Sequence, residues 1–189
     1  MPERIELRRI RKDSPELAEL EAINQEAIPE SERNSLSDLL NTGADGNLAV
    51  IGILADDTPA GFLAVRSFRS TRYLAYFAVR RDLRSQGLGS RALQALLSRY
   101  ADCQTVVEYE APPPDCGESH IRRRRQRFYR RNGFSQTGWY TFYDGTEFEI
   151  ACAGKPYDAA EFAAFIDYLG TVISDHIPQP YRKALRDRR

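Results

Sequence analysis

Ile5, Leu7 and Ile10, set among charged residues, open a short strand, and Leu17, Leu20, Ile23, Asn24 and Ala27 then recur at helical spacing. Ser14-Pro15 supplies an N-cap and a first-turn proline for that helix, and Pro29 ends it. Ser35–Asn41 predicts a second short helix stopped by Gly43. Leu48–Leu54 and Ala60–Phe68 are apolar enough for buried strands. They flank Asp56-Asp57-Thr58-Pro59, whose residues favour a reversal, so the pair predicts a hairpin leading into a third apolar strand at Tyr73–Val79.

Past a polar loop, Leu88, Ala92, Leu93, Leu96 and Leu97 return to helical spacing over 87–100, and Thr105–Glu110 alternates as a strand. Ala111-Pro112-Pro113-Pro114 cannot continue a ladder, so that strand ends there and a helix over Ser119–Asn132 follows. Phe134–Tyr143 and Thr146–Ala153 predict a terminal hairpin around Asp144-Gly145, the strongest short turn signal in the chain. Asp158 and Glu161 form a capping-box pattern ahead of Phe162, Phe165, Ile166, Leu169, Val172 and Ile173, an apolar stripe one helix face wide.

Composition narrows the class. At 189 residues, with 42% hydrophobic and 29% charged residues, the chain is long enough for one well-buried core and disorder is not expected. No apolar run approaches a membrane span, and Met1-Pro2-Glu3-Arg4-Ile5-Glu6 lacks a signal-peptide core, so the expected location is the cytoplasm. Cys103, Cys116 and Cys152 are odd in number and widely spaced, and neither His120 nor His176 stands at a metal-ligand distance, so neither a disulfide framework nor a metal site is expected.

Candidate chemistry centres on Val79-Arg80-Arg81-Asp82-Leu83-Arg84-Ser85-Gln86-Gly87-Leu88-Gly89-Ser90, a loop between a strand and a helix start. Gly87 and Gly89 let backbone press against an anion, and the unpaired N–H groups of a first helical turn hold its charge, as a pyrophosphate requires. Neither a Walker loop nor a Rossmann fingerprint matches in register. Arg84-Ser85-Gln86-Gly87-Leu88-Gly89 resembles the (Gln/Arg)-x-x-Gly-x-(Gly/Ala) signature of the GCN5-related N-acetyltransferase (GNAT) superfamily. Phe128-Tyr129-Arg130-Arg131-Asn132-Gly133-Phe134 resembles the same family's helix-to-strand junction, and the likeness spans most of residues 3–152.

The resemblance implies an α+β, three-layer fold with a mixed, mostly antiparallel central sheet and helices on both faces. Its fourth and fifth strands, 73–79 and 105–110, would run parallel and splay apart. Residues 1–155 would form the acetyltransferase domain, and 156–189 a C-terminal helical extension packed on it. The implied activity is direct transfer from acetyl-CoA, the co-substrate, to a primary amine of a small molecule or peptide. Main-chain groups of Phe77, Ala78 and Val79 would hold the pantetheine arm, and the backbone of Arg84, Ser85, Gln86, Gly87, Leu88, Gly89 and Ser90 the pyrophosphate. Tyr129 matches the tyrosine that family members use to protonate the departing thiolate. Two departures stand out: Arg81 replaces a frequent proline, and Arg122 stands where an asparagine is common, so an arginine would reach a phosphate there instead.

The residues add candidates of their own. Glu108 and Glu110 sit two apart on a strand and so share a face, where mutual repulsion favours one of them as the base, with Glu108 preferred and Glu110 toward the acceptor; a water chain is the alternative. Residues 13–45 carry nine acids, Asp45 among them, against Arg33, a net of −8, whereas 66–91 carry a net of +6. That contrast suits an amine acceptor near Glu30 and Glu32, in the loop that Pro29 exposes. Arg122–Arg125, Arg127, Arg130 and Arg131 point all round their helix in a chain of zero net charge, so neither nucleic acid nor membrane is an expected partner. A second copy of the chain is the one macromolecular partner allowed for. The competing readings are a coenzyme-binding sensor without turnover and a nucleic-acid-associated domain.

Overall fold

A computed structural model describes residues 4–43, 46–173 and 177–183; Asp45, His176 and the last part of the 156–189 extension lie outside them. The chain forms two compact units, Met1–Ala101 and Asp102–Arg189.

The first unit runs β1 (Ile5–Arg9), α1 (Leu17–Ala27), α2 (Leu36–Thr42), β2 (Leu48–Ala55), β3 (Thr58–Phe68), β4 (Thr71–Val79) and α3 (Leu88–Arg99). Its strands pair antiparallel in chain order. Val50, Phe62, Ala64 and Ala78 meet Leu20, Ile23, Leu36 and Leu39 of α1 and α2 in one core. The alternate residues Ile51, Ile53, Leu63 and Val65 are equally buried on the other side, so both faces of this sheet are covered. The apolar stripe of α3, Leu88, Ala92, Leu93 and Leu96, is buried, as its spacing predicts.

Two local readings of the sequence are corrected here. Ser14 does not cap α1: its Oγ accepts from Arg11 N–H at 2.9 Å, closing the turn before the helix, and α1 begins at Leu17. Thr58 and Pro59 belong to β3, because Asp56 and Asp57, at φ 47° and 63°, close a two-residue loop by themselves. Pro59 is tolerated because it sits at the register shift beside Leu54, where the ladder is already interrupted. α2 starts as read, with Ser35 accepting from Asp38 N–H and donating its own hydroxyl to the Asp38 carboxylate.

The second unit runs β5 (Gln104–Glu110), α4 (Ile121–Arg131), β6 (Ser135–Tyr143), β7 (Thr146–Gly154), α5 (Ala159–Ile173) and β8 (Tyr181–Arg182). Its strands pair antiparallel, β7 between β5 and β6 and β8 on the outer side of β6. Asp144 and Gly145, both left-handed, close the β6–β7 hairpin. Between Gln136 and Tyr140 the β6 register breaks, and Thr137 Oγ1 donates to the Ile150 carbonyl across the gap. Asp158 caps α5 by accepting from the N–H groups of Ala160 and Glu161. No helix among the described residues is long and apolar enough to cross a membrane.

Gly61 lies opposite Val79, and a Cβ placed on it would stand 2.3 Å from the Ala78 carbonyl oxygen. Gly61→Ala must therefore push β3 and β4 apart, and a stability loss of about 1–3 kcal/mol is expected. Urea midpoints at constant m-value measure it; an unchanged midpoint would show that the strands yield freely.

Candidate active site

β4 ends in a loop that is held by its own hydrogen bonds. Arg80 N–H donates to Ala60 O at 2.9 Å, and Arg84 Nε returns to the Val79 carbonyl at 2.9 Å. Gln86 Nε2 donates to Asp82 O at 2.8 Å, and Glu26 accepts from Arg81 N–H. Ser85 and Gly87 then take left-handed conformations, φ 63° and 79°, which turn the chain into α3. Gly87 is the N-cap, no side chain caps the helix, and no acidic residue stands in its first turn. The first backbone bond into the helix is Arg91 N–H to Gly87 O. The N–H groups of Leu88, Gly89 and Ser90 thus form the donor end of α3, where an anion is favoured by both hydrogen bonding and the macrodipole.

In the second unit β5 presents two different faces. Tyr109 points to the face shared with Glu149, its cross-strand partner, and there stacks on Tyr129 of α4, the rings 5.4 Å apart and 7° from parallel. Phe134 closes on Tyr129 edge-on. Tyr129 is only 7% exposed, and burial pushes its hydroxyl up to about 12, so the phenol is protonated at neutral pH. Helical geometry does send Phe128 and Tyr129 different ways, but the core aromatic is Tyr129; Phe128 is half-buried and lies under the Arg131 guanidinium.

Glu108 and Glu110 share the opposite face of β5, as the alternation predicts, but they do not act as a repelling pair. Thr141 Oγ1 donates to Glu108 Oε1. Glu110 is held by Arg122 at 2.8 Å and Arg125 at 3.7 Å. Arg122, the expected phosphate contact, therefore serves Glu110.

The acidic run resolves into bonds as well. Glu16 pairs with Arg8, Glu19 with Arg80, and Glu21 accepts from Leu36 N–H at the start of α2. Glu30 and Glu32 remain exposed on a short 3-10 turn. That turn is anchored to β4: Tyr76 Oη donates to Glu32 O at 3.0 Å and accepts from Asn34 Nδ2 at 2.8 Å.

The sequence profile of the acetyltransferase (GNAT) family matches residues 7–134. The chain belongs to the GNAT acetyltransferase family. No curated protein sequence matches it. Solved GNAT structures share its fold. A GNAT acetyltransferase from Bacteroides thetaiotaomicron is 24% identical, with 90% of this chain and 97% of that one covered at a TM-score of 0.71. The ribosomal-protein-S18-alanine N-acetyltransferase of Escherichia coli is 16% identical, with coverage of 82% and 96% and a TM-score of 0.61. A GNAT acetyltransferase from Elizabethkingia anophelis, solved with acetyl-CoA bound, is 13% identical, with coverage of 81% and 99% and a TM-score of 0.56. The α+β fold expected from the sequence is the fold of these proteins.

In this GNAT chain a Cβ built on Gly87 would meet nothing within 4 Å, so it is the left-handed backbone rather than crowding that calls for glycine there. Among the described residues no group of three or more His, Cys, Asp or Glu is placed to hold a metal ion. One buried group escaped the sequence reading. Glu149, 2% exposed at the middle of β7, accepts from Gln126 Nε2 of α4 at 2.8 Å and from Gln136 Nε2 of β6. A charged residue between Phe148 and Ile150 in a buried strand was its one visible signal; the two glutamines that satisfy it come from elsewhere in the chain.

The Tyr129 hydroxyl ionises near 10 in an unfolded chain and at about 12 in place, so its contribution to stability is complete below pH 10 and fades as pH rises through 12. Tyr129→Phe keeps the stacked ring and removes the ionisation. Its unfolding free energy, followed by urea titration between about pH 9 and 12, should fall less steeply than that of the wild type; identical slopes would mean the hydroxyl is not buried.

Proposed function

We propose that this protein is an acetyl-CoA-dependent N-acetyltransferase that transfers the acetyl group directly to a primary amine of a small molecule or peptide. The observation that carries this reading is the uncapped, acid-free N-terminus of α3, reached through a left-handed Gly87. Its donors, with the backbone N–H groups of Ser85 and Gln86, hold the pyrophosphate, and the main chain of Phe77, Ala78 and Val79 lies along the pantetheine arm, while Arg84 shapes the loop through its bonds to Arg81 and Val79. The Val79 carbonyl already accepts from Arg84, which ties the two parts of that cradle together.

The chemistry asks for two proton transfers. Glu108 takes a proton from the ammonium and so frees the nitrogen lone pair, which bonds to the acetyl carbonyl carbon; as the carbon–sulfur bond breaks, Tyr129 donates to the thiolate and regains its proton from the one the nitrogen loses on becoming an amide. Tyr129 suits that role because burial keeps it protonated, and Glu108 because it is half-buried and oriented by a hydroxyl. Glu30 and Glu32, exposed on their 3-10 turn, attract the cationic acceptor, while Glu110 and Arg122 act as a structural ion pair. A peptide acceptor would be in keeping with the S18-alanine N-acetyltransferase among the structural neighbours.

Gly87→Glu replaces a left-handed glycine with a strained, negatively charged residue at the anion site, and acetyl-CoA affinity by calorimetry should weaken by about tenfold or more. Unchanged affinity would remove the loop from the reading.

Tyr129→Phe should lower thiol release in the presence of a primary-amine mixture by about ten- to a hundredfold, with acetyl-CoA affinity within about twofold of wild type. Full turnover in the variant would leave Tyr129 a packing residue. Tight coenzyme binding by the wild type with no thiol release from any amine would favour the sensor.

A further inference from the structure

Glu108 is oriented by a residue outside the segment matched by the family profile. Thr141 lies on β6, beyond residue 134, in the strand that the profile does not reach. It is 6% exposed and sits opposite Phe148 of β7, while Glu108 sits opposite Ile150 of the same strand. Phe148 and Ile150 are two apart, so Thr141 and Glu108 point to one face from strands on either side of β7. The register break between Gln136 and Tyr140 bends β6 just before Thr141, and the Thr141 hydroxyl donates to Glu108 Oε1.

We propose that Thr141 is the positioning residue for Glu108, holding one carboxylate oxygen so that the base is presented in a single orientation and in its ionised form. A hydroxyl has one proton to give, and here it is given to a carboxylate, a bond that favours the charged form over the neutral acid. Among the groups on the side of Glu108 are Glu110 of β5, held by Arg122 and Arg125 of α4, Cys152 of β7, and Tyr157 ahead of α5. The buried Tyr157 hydroxyl has no hydrogen-bond partner among the described residues, and burial, followed by the Glu108 charge, pushes it up. The Cys152 thiol is pushed up to about 12 by burial and stays neutral. Thr141 is thus the hydroxyl placed to donate to Glu108, beside groups that are neutral or already paired.

The inference rests on Glu108 being the base, and the test separates the two. Full-length protein carrying glutamate labelled with carbon-13 at the side-chain carboxyl is titrated by NMR, the Glu108 resonance being assigned by its loss in Glu108→Gln. Thr141→Val keeps the β-branched shape and removes the donor, so the Glu108 midpoint should rise by about 0.5–1 pH unit, and turnover with a primary-amine mixture should fall about three- to tenfold. Thr141→Ser restores the hydroxyl and should bring both back toward wild type. An unmoved midpoint in Thr141→Val, or a Thr141→Ser variant no better than it, overturns the role of Thr141 while leaving Glu108 as base. Full turnover in Glu108→Gln overturns the base assignment and, with it, the catalytic purpose of the Thr141 bond.

Discussion

The carbonyl of Ala78 stands so close to Gly61 that only a residue without a side chain lets β3 and β4 pair there. That approach fixes where β4 ends. Ala60, next to Gly61, accepts from Arg80 N–H, so the first residue beyond the strand is fastened to the same point. From there the loop closes on itself through Arg84 and Gln86, and the left-handed Ser85 and Gly87 aim α3. A non-glycine residue at positive φ costs of order 1 kcal/mol or more and persists only where its surroundings demand it. Ser85 is held in that state between a strand that cannot shift and a helix whose buried leucines cannot turn. The open donors at the helix start are therefore part of a stiff framework before any ligand arrives.

Charge in this chain is mostly structural. Nine acids between residues 13 and 45 read in the sequence as a field for a cationic acceptor. Folded, Glu16, Glu19, Glu21 and Glu26 are engaged by guanidinium groups or backbone donors, and Asp38 by the Ser35 hydroxyl. What faces solvent uncommitted among the described residues is Asp13 and a short stretch around Glu30 and Glu32, the latter held in place by the Tyr76 hydroxyl. The arginines of α4 behave alike: Arg122 and Arg125 close on Glu110, Arg127 on Glu118, and Arg131 lies over Phe128. Exposed pairs of this kind are worth little in stability; their effect is to subtract charge from surfaces that composition alone makes look strongly polarised.

Elements whose signal is local were legible. Asp144-Gly145, Ser35 with Asp38, and Asn132-Gly133 each specify their turn or cap through their own side chains or backbone freedom. The strand–loop–helix passage from β4 to α3 belongs to this group, since glycine spacing, the flanking strand and the apolar helix stripe all lie within one stretch of chain. What was illegible depends on partners distant in sequence. Ser14 had an equally good local partner in Arg11, which no propensity ranks against capping. Tyr129 and Phe128 could be told apart only by knowing that Tyr109 and Phe134 converge on the former. Glu149 needed Gln126 and Gln136, and Glu110 needed Arg122, before their roles could be read. β8, two residues long, carries no periodicity at all.

That small strand matters out of proportion to its length. β6 is the outer strand of the hairpin, with Phe142 and Tyr143 more than half exposed at its far end. A bare strand edge of this composition is a template on which another chain can add a strand. Trp139 and Tyr140 are instead paired with Arg182 and Tyr181, while Lys183 reaches Glu147 and lies 5.1 Å from the Tyr140 ring centre. The register break around Gly138 interrupts the rest of the edge. β8 thus covers the part of this edge that Trp139 and Tyr140 carry. The cost of losing it would appear in the colloidal behaviour of the protein, in concentrated solution or during folding, before it appeared in catalysis.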